Sequence, residues 1–270
     1  MQIRRDCVQP LTIPGDEDQV GAALGELAGE LQPDPGGGTC DKSSRHTFQP
    51  RPDPTGPAAA EAVASCTYAG GVRIATWNVN SIRSRIDRVE SWLARSDVDV
   101  LAIQETKAKA DQFPMDRLRA CGYEVAHHGL NQWNGVAILS RVGLTDVRQG
   151  FPGMPSWGEP PAQEARALGA TCGGIQVWSI YAPNGRHLTD PHMDYKVQWL
   201  GALRDEAAGW LATDPAAQVV LMGDWNIAPR DEDVWSMEFY ADKSHVSPRE
   251  RAAFEAIVDA GFADVVRPHA

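Results

Sequence analysis

The sequence predicts an α/β domain whose helices lie outside paired strands. Two observations predict it. Short apolar runs bounded by turn residues recur from Val72 onward, and the stretches between some of them carry apolar residues at helical spacing instead. Strands outnumber helices, and several runs follow one another too closely for a helical crossover, so antiparallel pairing is expected among them.

Taken in order, "VRIATWNV" (72–79) reads as a strand. "SIRSRIDRVESWLARS" follows as a helix, with Ile82, Ile86, Val89 and Leu93 on one face. "DVDVLAIQE" is the next strand, and "DQFPMDRLRACG" is a short helix closed by Gly122. "YEVAHH", "NGVAILSR", "LTDVRQG", "ARALGATC" and "IQVWSIYAP" are successive strands separated by turn residues. A long helix is expected over 191–212, with Val197, Leu200, Leu203, Trp210 and Leu211 near one face. "QVVLMGD" is a further buried strand. The last helix opens with a capping box from Ser247 to Glu250 and Pro248 at its first position.

Residues 1–71 have a different texture. "PDPGGG" and "RPDPTGPAAAEA" leave few large apolar residues there, so a disordered N-terminal extension is expected, with the domain covering 72–270. Within the extension, Val20, Leu24, Leu27 and Leu31 have the spacing of one marginal helix.

Across the whole chain of 270 residues, hydrophobic content is 43% and charged content 23%, as in soluble globular proteins. No run approaches the roughly 18 apolar residues that span a bilayer, and no apolar segment follows Arg4 and Arg5 as in a signal peptide. The five cysteines are scattered without any CxxC, which argues for free thiols in a cytoplasmic setting. Net charge is −11, so any contact with a polyanion must rest on a local basic rim.

Four apolar strands end in polar residues that a buried strand has no use for. The first ends in Asn78 and Asn80, the second in Gln104 and Glu105, the third in Tyr181 and Asn184, the fourth in Asp224 and Asn226. Carboxylates and amides converging on one rim make a set of hard oxygen ligands of the kind Mg²⁺ prefers. Glu105 with Asn78 suffices for such a site, which leaves Asp224 to hold and deprotonate a water and Asn226 to fix a partner oxygen. Arg83, Arg85, Lys107, Lys109 and Arg186 fall on segments beside these strand ends and suit backbone phosphates. His127, His128, His187 and His192 show no metal-ligand spacing and read as surface or hairpin histidines.

At these residues the chain resembles the exonuclease III type of AP endonucleases, in the endonuclease/exonuclease/phosphatase superfamily. The resemblance is carried by "IATWNVNSIRSR", "DVLAIQETKA", "NGVAILSR", "GFPG", "YAPNGR…DPHMDYK" and "LMGDWNIAP", in family order from about Arg73 onward. It implies a four-layered α/β sandwich: two mixed sheets face to face, helices outside, the active site at one rim. It also implies Mg²⁺-dependent hydrolysis (Mn²⁺ as a substitute) of phosphodiesters in double-stranded DNA with abasic or 3′-blocked ends; the oligomeric state is not readable from the sequence, and a monomer is the expectation. Glu105 then binds the metal with support from Asn78, Asp224 handles the attacking water, Asn226 contacts and orients the phosphate, and Tyr181 sits against the scissile phosphate. Gln104 and Asn184 support the ligands or touch the DNA backbone. The family also carries an "RIDH"-like strand and a late "SDH", and neither string occurs in these 270 residues. On that ground the chain is expected to be C-terminally incomplete, with apolar faces and strand edges left open, and poorly folded or inactive. Two other functions are weighed: a phosphatase or phosphodiesterase acting on lipid or inositol phosphates, and a non-catalytic DNA-binding or vestigial product.

Overall fold

The computed structural model describes residues 71–269, together with the backbone of residues 11–12 and 22–25. Two mixed sheets pack face to face with helices on both outer surfaces. The first sheet has the order β1(Leu11–Thr12), β3(Arg73–Asn78), β4(Val100–Gln104), β6(Val136–Ser140), β5(Glu124–His128). The second runs β11(Phe262–Asp264), β2(Ala22–Gly25), β10(Val219–Asp224), β9(Ile175–Tyr181), β8(Ala167–Cys172), β7(Thr145–Gln149). The tight hairpin-linked pairs are antiparallel as the sequence predicts, whereas β3 with β4 and β9 with β10 are parallel. These parallel pairs are joined through α1(Ile82–Leu93) and α3(Pro191–Thr213), which supply the crossovers that parallel strands require.

Alternation along each strand sorts the apolar residues into three cores. Ile74, Val100, Ala102 and Ile138 meet Val177, Val220 and Met222 between the sheets. Ala75, Leu101, Ile103 and Leu139 face the other way, onto Ile82, Ile86, Val89 and Leu93 of α1 and Leu118 of α2(Met115–Ala120). Trp178, Ile180, Val219 and Leu221 turn outward beneath Trp199, Leu200 and Leu203 of α3 and Phe254 and Ile257 of α5(Pro248–Asp259). Strands covered on both faces are apolar at every position, which is why they read as continuous runs. Burying each Leu, Ile, Val or Phe side chain in these cores contributes about 1.5–3 kcal/mol.

The capping box is present: Ser247 Oγ accepts from Glu250 N, with Pro248 at the first helical position. On α3, Leu200 and Leu203 are buried and Trp210 and Leu211 pack against the core, as the spacing predicts. Val197 is only half-buried, and the N-terminal half instead buries His192, Met193, Tyr195, Lys196 and Trp199 over a polar floor as well as the sheet. His192 therefore lies in the interior, at 4% exposure. It was expected at the surface. A short helix α4(Met237–Tyr240) sits in the long connection from β10 to α5. The chain's one Arg-Ile-Asp string, Arg85–Asp87, lies inside α1.

In the N-terminal segment, residues 22–25 form a strand where the apolar spacing predicts a helix; Val20, Leu27 and Leu31 lie outside the described residues. This strand runs parallel to β10 and β11 and occupies the edge of β10 that was expected to be open. Among the described residues no helix is long and apolar enough to cross a membrane.

Candidate active site

The inner faces of the two sheets turn polar toward one rim. Thr76, Gln104 and Ser179 follow Ile74, Ala102 and Val177 at intervals of two, so they point between the sheets. Gln104 donates from Nε2 to Ser179 Oγ (3.0 Å) and accepts at Oε1 from Thr76 Oγ1 (3.1 Å); Ser179 Oγ in turn donates to the Ile103 carbonyl (3.0 Å). Gln104 is thus a buried tie between the sheets at 1% exposure, with no route to DNA.

Two residues beyond Thr76, Ser179 and the inner-face Met222 of β10 lie Asn78, Tyr181 and Asp224. Asn78 Nδ2 donates to Glu105 Oε1 (2.8 Å) and to Asp224 Oδ2 (2.7 Å), so one amide holds together carboxylates from opposite sheets. Its Oδ1 accepts from Asn80 N (3.0 Å). Strict alternation would aim Glu105 at the outer helices, but its φ of 52° ends β4 and leaves its carboxylate at the rim. Asn226 has φ 51°, and such left-handed conformations at non-glycine residues cluster at functional sites. Gly223 makes the register possible: a Cβ there would stand 2.0 Å from the Ile180 carbonyl oxygen.

The electrostatics follow from this crowding. Burial pushes the Asp224 carboxyl up, Glu105 pushes the same way, and hydrogen bonds from Asn226 N and Asn78 oppose them. Asp224 is therefore more basic than an ordinary aspartate. Burial, then the Glu105 and Asp224 carboxylates, also raise the Tyr181 hydroxyl far above its usual range. It stays protonated and donates to Glu105. The Arg166 guanidinium stacks over the Tyr181 ring at 4.9 Å and pairs with Glu164 at 2.7 Å.

On the Asp224 side, Asn226 Nδ2 donates to the Ala182 carbonyl (2.9 Å), and its Oδ1 accepts from Asn184 Nδ2 (3.1 Å). His245 Nε2 lies 3.1 Å from the same Oδ1. Beneath them, fully buried Lys196 donates to the carbonyls of Asn184 and Asn226 and pairs with Glu250. His245, Arg166 and Lys196 were missed by sequence reasoning. The only signal for Lys196 was its place one turn into an otherwise apolar helix face; His245 and Arg166 gave none.

The basic residues divide. Lys107 turns inward to Glu105 Oε2 (2.7 Å) and to Asn80 Oδ1, and Arg85 turns back to the Asn80 carbonyl. Arg83 and Lys109 line an exposed cavity on one flank. Arg186 lies on the opposite flank with Asn184, 5.8 Å over the Trp157 ring.

The donor set fits a hard divalent cation: two carboxylates face each other across one amide, and Glu105 raises Asp224 even with Lys107 paired to Glu105 Oε2. Glu105 would hold it, supported by Asn78. Among the described residues no group of three or more His, Cys, Asp or Glu is placed to hold a metal ion, so a cation here would keep several waters.

A model described as the endonuclease/exonuclease/phosphatase family matches residues 75–260. The chain belongs to this family. Exodeoxyribonuclease from Bacillus subtilis is 29% identical over 201 residues, which cover 73% of this chain and 75% of that one. The 3′-5′ exonuclease NExo from Neisseria meningitidis is 36% identical, with a TM-score of 0.67 over 72% of this chain and 73% of the other. A second NExo structure, described as a 3′ phosphatase, is bound to product DNA hairpin with the same figures. An AP endonuclease from Archaeoglobus fulgidus gives 35% identity and a TM-score of 0.66 over 73% and 74% of the two chains. The family and the four-layered fold implied by the motifs are thereby borne out, and by family the chain is an exodeoxyribonuclease III-like hydrolase.

Proposed function

We propose that this chain hydrolyses phosphodiester or phosphomonoester bonds in damaged or 3′-blocked double-stranded DNA, with Mg²⁺ as cofactor. One observation carries the reading: the carboxylates of Glu105 and Asp224, from two sheets, meet on a single amide of Asn78. The DNA substrate class is supported by the exonuclease, AP endonuclease and DNA-bound relatives. A divalent cation on Glu105 would polarise the phosphate and neutralise charge developing on it.

Asp224 accepts the proton of the attacking water, a task for which its raised basicity suits it. Asn78 fixes the carboxylate that does this work. Asn226, held by Ala182 and Asn184, presents a rigid edge to the phosphate. The Tyr181 hydroxyl stays protonated; its one proton goes to Glu105 in the free site and turns to a phosphate oxygen when substrate is bound. Lys107 neutralises Glu105 until a cation arrives. A cytoplasmic site of action is supported by the free thiols of Cys121 and Cys172.

The competing reading is a non-catalytic DNA-binding product. The purified chain should be assayed on an abasic duplex and on a 3′-phosphate duplex, with Mg²⁺ and with EDTA. Cleavage that requires Mg²⁺ and falls about 10²–10⁴-fold in Asp224→Asn supports the proposal. No turnover of either substrate, with DNA binding retained, hands the case to the competing reading.

A further inference from the structure

Beyond Asn226, the connection from β10 to α5 enters the left-handed region at His245, whose φ is 86°. Such a backbone is strained for any residue with a Cβ and persists only where its surroundings fix it. Here they do. His245 N donates to Glu250 Oε1 (2.8 Å), and Ala228 N donates to the His245 carbonyl (2.7 Å). The pinned backbone delivers a half-buried imidazole to the amides of Asn184 and Asn226. Both amides have a settled orientation. Asn226 Nδ2 must face the Ala182 carbonyl (2.9 Å), and Asn184 Oδ1 must face Arg186 N (3.0 Å). Asn226 Oδ1 therefore looks at Asn184 Nδ2 (3.1 Å) and at His245 Nε2 (3.1 Å). Burial, and then the Lys196 ammonium, lower the imidazole below its usual value, so the ring is neutral and carries one proton. On Nδ1, that proton would leave the Nε2 lone pair against the lone pairs of Asn226 Oδ1, and Nε2 would draw a hydrogen from Asn184 Nδ2 at 3.2 Å. On Nε2, it fills the second lone pair of Asn226 Oδ1, and Ser244 Oγ donates to Nδ1 at 3.0 Å. The second arrangement satisfies every atom and leaves one amide hydrogen on each asparagine uncommitted among these contacts.

We propose that His245 is a positioning residue: its Nε2–H donates to Asn226 Oδ1 and so keeps one amide hydrogen each of Asn184 and Asn226 turned to a phosphate oxygen. The role rests on the nuclease reading above. His245 touches no substrate atom itself. It acts by holding donors in place before charge develops on the phosphate, when a swivelling amide would have to reorient.

The test combines steady-state kinetics on abasic and 3′-phosphate duplexes in Mg²⁺, urea unfolding, and a nitrogen–proton correlation spectrum of the histidine rings at pH 7. His245→Ala should lower kcat about tenfold with KM within about twofold of the parent chain. His245→Gly removes the same donor but relieves the left-handed backbone, so its urea midpoint should exceed that of His245→Ala while its kcat falls as far. His245→Gln places an amide N–H near the position of Nε2 and should recover most of kcat. His245→Asn, whose amide reaches only as far as Nδ1, should not. In the spectrum, with the His245 signals assigned by their loss in His245→Gln, the proton should sit on Nε2. If the parent chain cuts DNA but carries this proton on Nδ1, or if kcat in the Ala and Gly variants follows their urea midpoints, the positioning role alone fails. If the parent chain cuts no DNA in Mg²⁺, the nuclease reading fails and the spectrum decides the hold on Asn226: a proton on Nε2 sustains it, and a proton on Nδ1 overturns it.

Discussion

Asn78 is the residue on which both halves of the site depend. Its nitrogen is the shared donor of two carboxylates from different sheets. Asn78→Ala removes that donor and leaves Glu105 and Asp224 to repel across a gap; turnover is expected to drop about 10²–10³-fold with little change in DNA affinity, read as a kcat effect. Gly223 gives a stability prediction of the same locality. Its φ is 145° and an added Cβ would meet the Ile180 carbonyl oxygen at 2.0 Å, in the strand pair that carries Tyr181 and Asp224. Gly223→Ala should cost about 3 kcal/mol or more, measured by urea unfolding. The sequence made Asn78, Tyr181, Glu105 and Asp224 legible because polar residues at the ends of apolar runs are conspicuous. It could not reveal that Asn78 works through its nitrogen, or that Lys107 turns inward to Glu105, since side-chain direction depends on neighbours far away along the chain.

Between elements, the Lys196–Glu250 pair decides how α3 and α5 are held under the site. Both side chains are fully buried, and Lys196 also caps the carbonyls of Asn184 and Asn226. Burial works to raise Glu250, but the Lys196 ammonium and donors from Ser247 and His245 N overcome it, so the carboxyl lies below its ordinary 4.5. A carboxyl depressed by folding contributes stability that is present above the unfolded value and is lost as pH falls through the folded one. The urea midpoint of the native chain should therefore exceed that of Glu250→Gln at neutral pH, and the gap should close as pH drops below about 4.5. Lys196→Met, which strands a buried carboxylate, should cost about 3–5 kcal/mol at pH 7. The capping box was legible because Ser247 and Glu250 are near neighbours. The second partner of Glu250 lies 54 residues away, beyond the reach of any spacing argument.

At the scale of the molecule, the order of helices and strands from Val72 to α5 was legible because period-2 and period-3.6 patterns are local. That two mixed sheets face each other was supplied by family resemblance and not by periodicity, and which strands are parallel is given by the structure alone. The sheets must nevertheless be held at a fixed separation, because Glu105 belongs to one and Asp224 to the other. The tie running from Thr76 through Gln104 and Ser179 to the Ile103 carbonyl sits directly behind these carboxylates, among otherwise apolar inner-face residues. Ser179→Ala leaves the Gln104 amide with a buried donor and no acceptor, which costs about 1–3 kcal/mol, whereas replacing both members with apolar residues of similar shape approaches neutrality. A double-mutant cycle with Ser179→Ala and Gln104→Leu should therefore show the double variant recovering most of the stability lost by either single change. Activity should behave differently. The double variant restores an apolar contact but not the polar tie that sets the sheet spacing, so its turnover should stay below that of the parent chain while its urea midpoint returns. Recovery of stability and turnover together would show that the tie serves only to satisfy buried polar atoms and does not position the carboxylates.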